Sequence, residues 1–249
     1  MKKRIISAML ITAMAAAMTA GCGTKEEAPA TETAAESGTE EAVKLEDDTD
    51  APESEAAGTE KSGDTFTVGF DQDFPPMGFV GEDGEFTGFD LELAAEVAKR
   101  LDKEIVYQPI AWDAKDMELE SGTIDCIWNG FTMNGREDSY TWSEPYMKNN
   151  QVFVVKADAG ISTKEDLAGK VVDVQTDSSA EAALKEDEEL MNSFGQLVTV
   201  ADYNTAFMDL ESGAVDAIAM DDVVASYQIE QRQVDFVVLD ETLAAEEYG

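Results

Sequence analysis

The chain has 249 residues, and its 54 Asp and Glu outweigh 17 Lys and Arg to give a formal net charge of −37. So acidic a surface repels polyanions, and no nucleic-acid partner is expected. The absence of His removes the commonest general base and metal ligand, and of the two Cys only Cys126 lies in the globular part, so no disulfide is expected within it.

Lys2, Lys3 and Arg4 precede an apolar, small-residue run from Ile5 to Ala20. That run is too short and too rich in alanine for a membrane span and reads as a secretory signal peptide, residues 1–21. It ends in Thr19-Ala20-Gly21-Cys22, which resembles a bacterial lipobox, although Thr19 stands where Leu is usual. The resemblance implies acylation of Cys22 and attachment to the outer face of a bacterial cell membrane through a lipid anchor. The alternative is an ordinary cleaved signal beside an incidental Cys. Residues 22–64 are mostly Glu, Ala, Thr, Ser, Gly and Pro, with one Leu, one Val and no aromatics, and they read as a disordered acidic tether, because they bury too little apolar surface to offset the entropy of ordering.

From Thr65 the composition turns globular, and roughly 185 residues suffice for two small lobes. Thr65–Phe70 reads as a strand, Asp71–Met77 as a loop and Gly78–Phe86 as a hairpin around Gly81-Glu82-Asp83-Gly84. Gly88–Leu101 reads as a helix with a capping box between Thr87 and Asp90 and a broad apolar face from Leu91, Ala94, Ala95, Ala98 and Leu101, widened by Phe89, Leu93 and Val97. Strands follow at Ile105–Ile110, Ile124–Trp128 and Gln151–Val155, with a short helix at Lys115–Ser121 ended by Gly122. Cys126 falls in the third of these strands and is expected to be an inert core thiol.

The alternation then restarts. Short helices are expected at Lys164–Ala168 and from Ser178 to Lys185, longer ones at Asn204–Ser212 and Asp222–Gln231, and strands at Val171–Val174, Leu197–Val200, Ala214–Met220 and Phe236–Leu239. Glu120-Ser121-Gly122-Thr123-Ile124-Asp125-Cys126-Ile127 is echoed by Glu211-Ser212-Gly213-Ala214-Val215-Asp216-Ala217-Ile218. Two α/β lobes follow, at 65–155 and 156–245, with 246–249 starting a return crossing and the ligand cleft between the lobes.

The run Gly88-Phe89-Asp90-Leu91-Glu92-Leu93-Ala94-Ala95-Glu96-Val97-Ala98 resembles the signature of the family 3 bacterial extracellular solute-binding proteins. The likeness covers nearly all of 65–249 and implies a two-lobed periplasmic-binding-protein fold of type II. By that resemblance the aromatics of Phe74-Pro75-Pro76-Met77 and Trp112-Asp113 would stack on a bound amino acid, and Asp71 would reach its side chain. The segment Trp128–Arg136, followed by Trp142-Ser143-Glu144-Pro145-Tyr146, is similar to the one that holds the ligand carboxylate. It implies Arg136 as the bidentate clamp, completed by backbone N–H and hydroxyl groups around Gly130 and Thr132. Val174-Gln175-Thr176-Asp177-Ser178-Ser179 resembles a turn whose Ser178 and Ser179 donate to the same carboxylate, with Asp177 where Gly is usual, so that its charge would face an anion. Asp221 matches the acid that binds the ligand ammonium, with Asp222 as a competitor. The residues alone also allow Phe74 and Trp112 as core aromatics, Arg136 as a surface charge and Asp71 as a loop cap.

The resemblance implies a monomeric substrate-binding lipoprotein of an ABC importer that captures a polar amino acid and passes it to permease and ATPase subunits. No cofactor, metal or catalytic residue is implied. An extracellular amino-acid sensor is the alternative, and a periplasmic dehydratase-like enzyme the third. In the family about 30 residues normally follow the Tyr-Gly at 248–249. Their continuation is expected to finish the first lobe and cover its apolar surface.

Overall fold

The computed structural model describes residues 63–249; the signal peptide, Cys22 and the tether up to residue 62 lie outside them. In the first lobe, the apolar run β1 (Thr65–Phe70) pairs in parallel with β5 (Glu104–Pro109) on one edge and β6 (Cys126–Ile127) on the other. Between them the chain forms a small antiparallel sheet of β2 (Asp73–Phe74), β3 (Gly78–Val80) and β4 (Phe86–Thr87). Helix α1 (Phe89–Arg100) packs through Leu91, Ala94 and Ala98, whereas Phe89 and Leu101 stay exposed. The apolar face is therefore narrower than its spacing suggests.

The capping box does not form. Gly88 is the N-cap, without a side-chain bond, at φ 137°. A Cβ there would stand 2.3 Å from the Met77 carbonyl oxygen, so only glycine allows the helix to start this close to the preceding loop. The helix α2 (Lys115–Glu120) follows a tight turn at Trp112–Ala114 and ends before Gly122, at φ 76°. The expected strand Ile124–Trp128 keeps only two paired residues, because the chain leaves β1 after Ile127 and turns at Gly130. Cys126 is half-buried rather than core. It lines an open groove with Phe66, Trp128 and Trp142 on this lobe.

Strand β7 (Met147–Lys156) leaves the first lobe and enters the second. Its later half, Gln151–Val155, pairs antiparallel with β10 (Ala217–Asp221), and its end pairs with β11 (Phe236–Val238). This segment was expected to end the first lobe, and its hydrogen bonds put it in the second sheet. The sheet continues from β10 to β8 (Val171–Gln175) and β9 (Gln196–Val200), both in parallel steps. The first half of β7 pairs antiparallel with β12 (Ala244–Tyr248), a strand where only the start of a return crossing was expected. Helices α3 (Ser179–Glu186), α4 (Glu188–Ser193), α5 (Tyr203–Ser212) and α6 (Asp222–Arg232) cover the sheet. Helix α4 was not expected; Asp187 caps it by accepting from the Leu190 N–H at 3.1 Å.

Alternation along β10 feeds two cores: Ala217 and Ala219 face Leu184 and Phe194, while Ile218 and Met220 face Phe207 and Val224. The echoed octapeptide has one structural meaning in both lobes. Asp125 accepts from the Thr67 N–H at 2.8 Å, and Asp216 accepts from the Val171 N–H at 2.9 Å. The Asp125 and Asp216 N–H groups donate back to the Thr67 and Val171 carbonyls, each at 2.8 Å. Each Asp thus pins the neighbouring parallel strand at its entry.

Asp173 breaks the apolar pattern of β8. It is fully buried toward α5, and its oxygens receive no N–H or O–H bond. Burial, then the negative charge of Asp209, raise its pKa from 3.8 to about 7. An acid that holds its proton more tightly folded than unfolded adds stability below the unfolded value and loses it as pH rises through the folded one. Stability is therefore expected to fall between about pH 4 and pH 7, and Asp173→Asn to flatten that fall and raise Tm at about pH 8. Thermal unfolding of both proteins across this range checks it; parallel curves would refute it.

Candidate ligand cleft

A narrow cleft lies between the lobes, closed down in this structure to about 10 Å³. Phe74, Trp112, Asn129, Gly130, Phe131, Thr132 and Arg136 line it from the first lobe, and Gln175, Ser178, Ser179 and Asp221 from the second. All the expected residues except Asp71 are therefore brought together. Asp71 is buried beside the cleft, where it accepts from the Gln175 side chain at 2.7 Å and from the Asp73 N–H at 2.8 Å. Burial raises its pKa to about 6. Its hydrogen bond to Asp73 N–H makes it a loop cap, while its bond to Gln175 spans the lobes. It also borders an outer cavity with Asp73, Asp113, Asp202 and Trp112.

The aromatic walls come from turns rather than from the sheets. Phe74 ends the short β2 and lies 5.9 Å, centroid to centroid, from Tyr203 of α5. Trp112 opens the turn before α2 and stands edge-on to Phe131 at 5.5 Å. Both rings are almost wholly buried, and both line the cleft.

The loop between them is set by a residue of the signature helix. Asp90 is fully buried and accepts from the Gly130 N–H at 2.5 Å and the Tyr146 hydroxyl at 3.0 Å. Gly130 has φ 59°, and a Cβ there would press on Phe74 and Tyr248 at 3.0 and 3.1 Å. Its N–H is spent on Asp90, which corrects the expectation that it completes a carboxylate shell. The Thr132 hydroxyl likewise donates to Glu246 at 2.8 Å. Arg136 is held by donating to the Thr132 carbonyl at 3.2 Å, with its guanidinium 5.1 Å over the Phe131 ring. Among the described residues, no carboxylate lies within ion-pair distance of Arg136.

In the second lobe, Ser178 caps α3 by accepting from the Glu181 N–H at 3.1 Å. Ser179 accepts from the Gln151 amide at 2.8 Å, which leaves its hydroxyl proton free to donate. Asp177 adopts φ 58° and turns its carboxylate to the buried Lys115 ammonium of the first lobe. Its charge is thus neutralised across the cleft instead of facing an anion. Asn204 donates to Asp73 at 2.6 Å and adds a further bond between the lobes.

Asp221 is 3% exposed and accepts from Asn149 and Gln151 at 2.8 Å and from the Tyr248 hydroxyl at 2.6 Å. Burial, then the charge of Glu246, raise its pKa to about 7. Asp222, the competitor, is half-buried at the start of α6, where its carboxylate accepts from Ser226 at 3.3 Å. Asn149, Gln151, Glu246 and Tyr248 were missed in the sequence. A signal existed: polar residues two apart in otherwise strand-like runs place both of each pair on one face.

Asp90→Ala would strand the Gly130 N–H and the Tyr146 hydroxyl in a buried setting. It is expected to lower unfolding stability by about 2–4 kcal/mol in urea, with Asp90→Asn, which keeps an acceptor, recovering most of the loss. An unchanged Asp90→Ala midpoint would refute this role.

With the geometry established, comparison identifies its kin. The sequence profile of the bacterial extracellular solute-binding proteins, family 3, matches residues 66–225, a span that includes every expected cleft residue. The L-cystine-binding protein TcyJ of Escherichia coli (strain K12) is 32% identical over 188 residues, 74% of this chain and 69% of that protein. The solved structure of an ABC uptake transporter substrate-binding protein from Streptococcus pneumoniae with bound histidine has a TM-score of 0.72 at 37% identity, over 74% of this chain and 78% of that one. Holo ArgBP from T. maritima has a TM-score of 0.67 at 32% identity, over 75% and 81%. A cleft of opposed charges between two α/β lobes, on a chain matched over this length, places the protein among the bacterial extracellular solute-binding proteins, family 3.

Proposed function

We propose that the protein captures a free amino acid between its lobes and delivers it to an ABC permease and its ATPase, with Cys22 lipidated as the anchor. The observation that carries this reading is that one narrow cleft is lined both by groups suited to an anion, Arg136 of the first lobe and the capped start of α3 of the second, and by the acid Asp221. A small zwitterion satisfies both poles at once. Cystine, histidine and arginine, which the relatives' names and structures specify, are all amino acids.

In this reading the Arg136 fork, the Ser179 hydroxyl and the free N–H groups of α3 hold the carboxylate. Asp221, an acceptor, holds the ammonium, and the rings of Phe74 and Trp112 enclose the ligand and strengthen those contacts by excluding water. Asp71 and the acids of the outer cavity favour a polar or cationic side chain. The strands β7 and β12 form the hinge, and Lys115–Asp177, Asp71–Gln175 and Asp73–Asn204 are bonds of the closed form. The ligand leaves chemically unchanged, which separates a binder from an enzyme.

A thermal-shift screen of the amino acids, cystine included, is expected to find one that raises Tm, and mass spectrometry to recover it unaltered. No stabilising amino acid, or conversion of the bound one, would refute the reading. By calorimetry Arg136→Ala should weaken its binding by about 2–5 kcal/mol. Lys115→Met removes the ion pair but keeps most of the buried volume. It should speed release by roughly 3–30-fold in stopped flow with association little changed, because closure contacts act mainly on dissociation.

A further inference from the structure

The two carboxylates at the hinge share their donors. Asp221 lies opposite Gln151 in the sheet, and Glu246 lies opposite Asn149. The Asn149 amide donates to Asp221 at 2.8 Å and to Glu246 at 2.7 Å, and the Gln151 amide nitrogen lies at the same distances from both, its two N–H groups shared among these acids and Ser179. One oxygen of each acid therefore lies within two hydrogen-bond lengths of the other. Tyr248 donates to Asp221 and Thr132 to Glu246. Every one of these donors is neutral. Among the described residues, no Lys or Arg lies within ion-pair distance of either acid.

Acceptors are in excess here as well. The Asn149 and Gln151 side-chain oxygens are buried without a partner. The remaining groups around the pair are Tyr203 of α5, which burial and the charge of Asp221 hold neutral, Asp71 beyond it, and Arg136 across the cleft. Two negative charges so close, and so far from water, repel one another and lose solvation. The strain is relieved by a proton on Asp221.

We propose that Asp221, crowded by Glu246, holds a proton in the ligand-free protein and releases it when a ligand ammonium docks on Asp221, with Glu246 as the positioning residue. The inference rests on the reading that the cleft takes an ammonium-bearing ligand. The balance is simple: a carboxyl O–H bond breaks, its proton passes to the buffer, and the ammonium takes its place as the positive neighbour of the pair. The raised pKa of Asp221, about 7, agrees with a proton held near neutrality. Because ligand and proton compete, affinity rises with pH through that range, by up to about tenfold per unit.

Two measurements on the whole chain test this. The first follows ¹³C-carboxyl signals of the ligand-free protein from about pH 5 to pH 9. The Asp221 signal is expected to titrate near neutrality, and lower in Glu246→Gln. Asp221 ionised down to about pH 5 would overturn the proposal. The second is calorimetry with L-arginine, L-histidine and L-cystine in phosphate and in Tris at about pH 7. The heats for an amino acid that binds are expected to differ between buffers by the release of up to one proton, and Glu246→Gln, which leaves burial as the remaining cause, to bind it with a smaller difference. Binding with equal heats in both buffers would overturn the proposal. If none of the three binds, the amino-acid reading fails on those ligands, while the carboxyl titration still decides whether Asp221 holds its proton.

Discussion

Gln151 is paired on both sides, with Asp221 of β10 across one edge of β7 and Ala244 of β12 across the other. At this point the second lobe's sheet becomes the strand crossing between lobes. Backbone pairing fixes the side chains of three strands on one face there, so Asn149, Gln151, Asp221, Glu246 and Tyr248 converge without any loop having to be ordered. The cleft floor is therefore rigid where it meets the hinge, and the parts that complete it are the turns of either lobe.

Burial dominates the protonation of this chain. Asp71, Asp90, Asp173 and Asp221 all have raised pKa values, and in each the largest cause is loss of solvent. A chain with a formal charge of −37 thus has some buried acids that hold their protons up toward neutral pH. Near the cleft the same exclusion of water strengthens each hydrogen bond and ion pair that is made.

The departures from the familiar pattern have local physical reasons. Asp177 replaces a glycine but still takes a left-handed backbone, which Asp tolerates better than most residues, and its charge finds Lys115. Asp90 looks like a helix cap in one dimension, yet it is the first turn of α1 that delivers it to Gly130, while Gly88 serves as the cap. A helix that touches no ligand-facing space thereby shapes the loop that does.

Much of this was legible from residues alone. Period and punctuation placed β1, α1, β8, α5 and α6 within a few positions, since apolar spacing and glycine stops act locally. The echo around Asp125 and Asp216 announced a repeated lobe design, and motif likeness gathered Phe74, Trp112, Arg136 and Asp221 into one cleft. Spacing misjudged the exposed Phe89 and Leu101, the shortened β6 and the lobe to which the strand Gln151–Val155 belongs, because strand partners and helix neighbours are distant in the chain. By itself, then, the sequence determined the elements, the two-lobe α/β pattern and the chemical types available to a site. Only the tertiary structure decided where hydrogen-bonding capacity went: Gly130 N–H to Asp90, Thr132 to Glu246, Asp177 to Lys115 and Gln151 to both acids. Those bonds join residues separated by 40 or more positions, and which donor meets which acceptor is set by packing, not by local spacing.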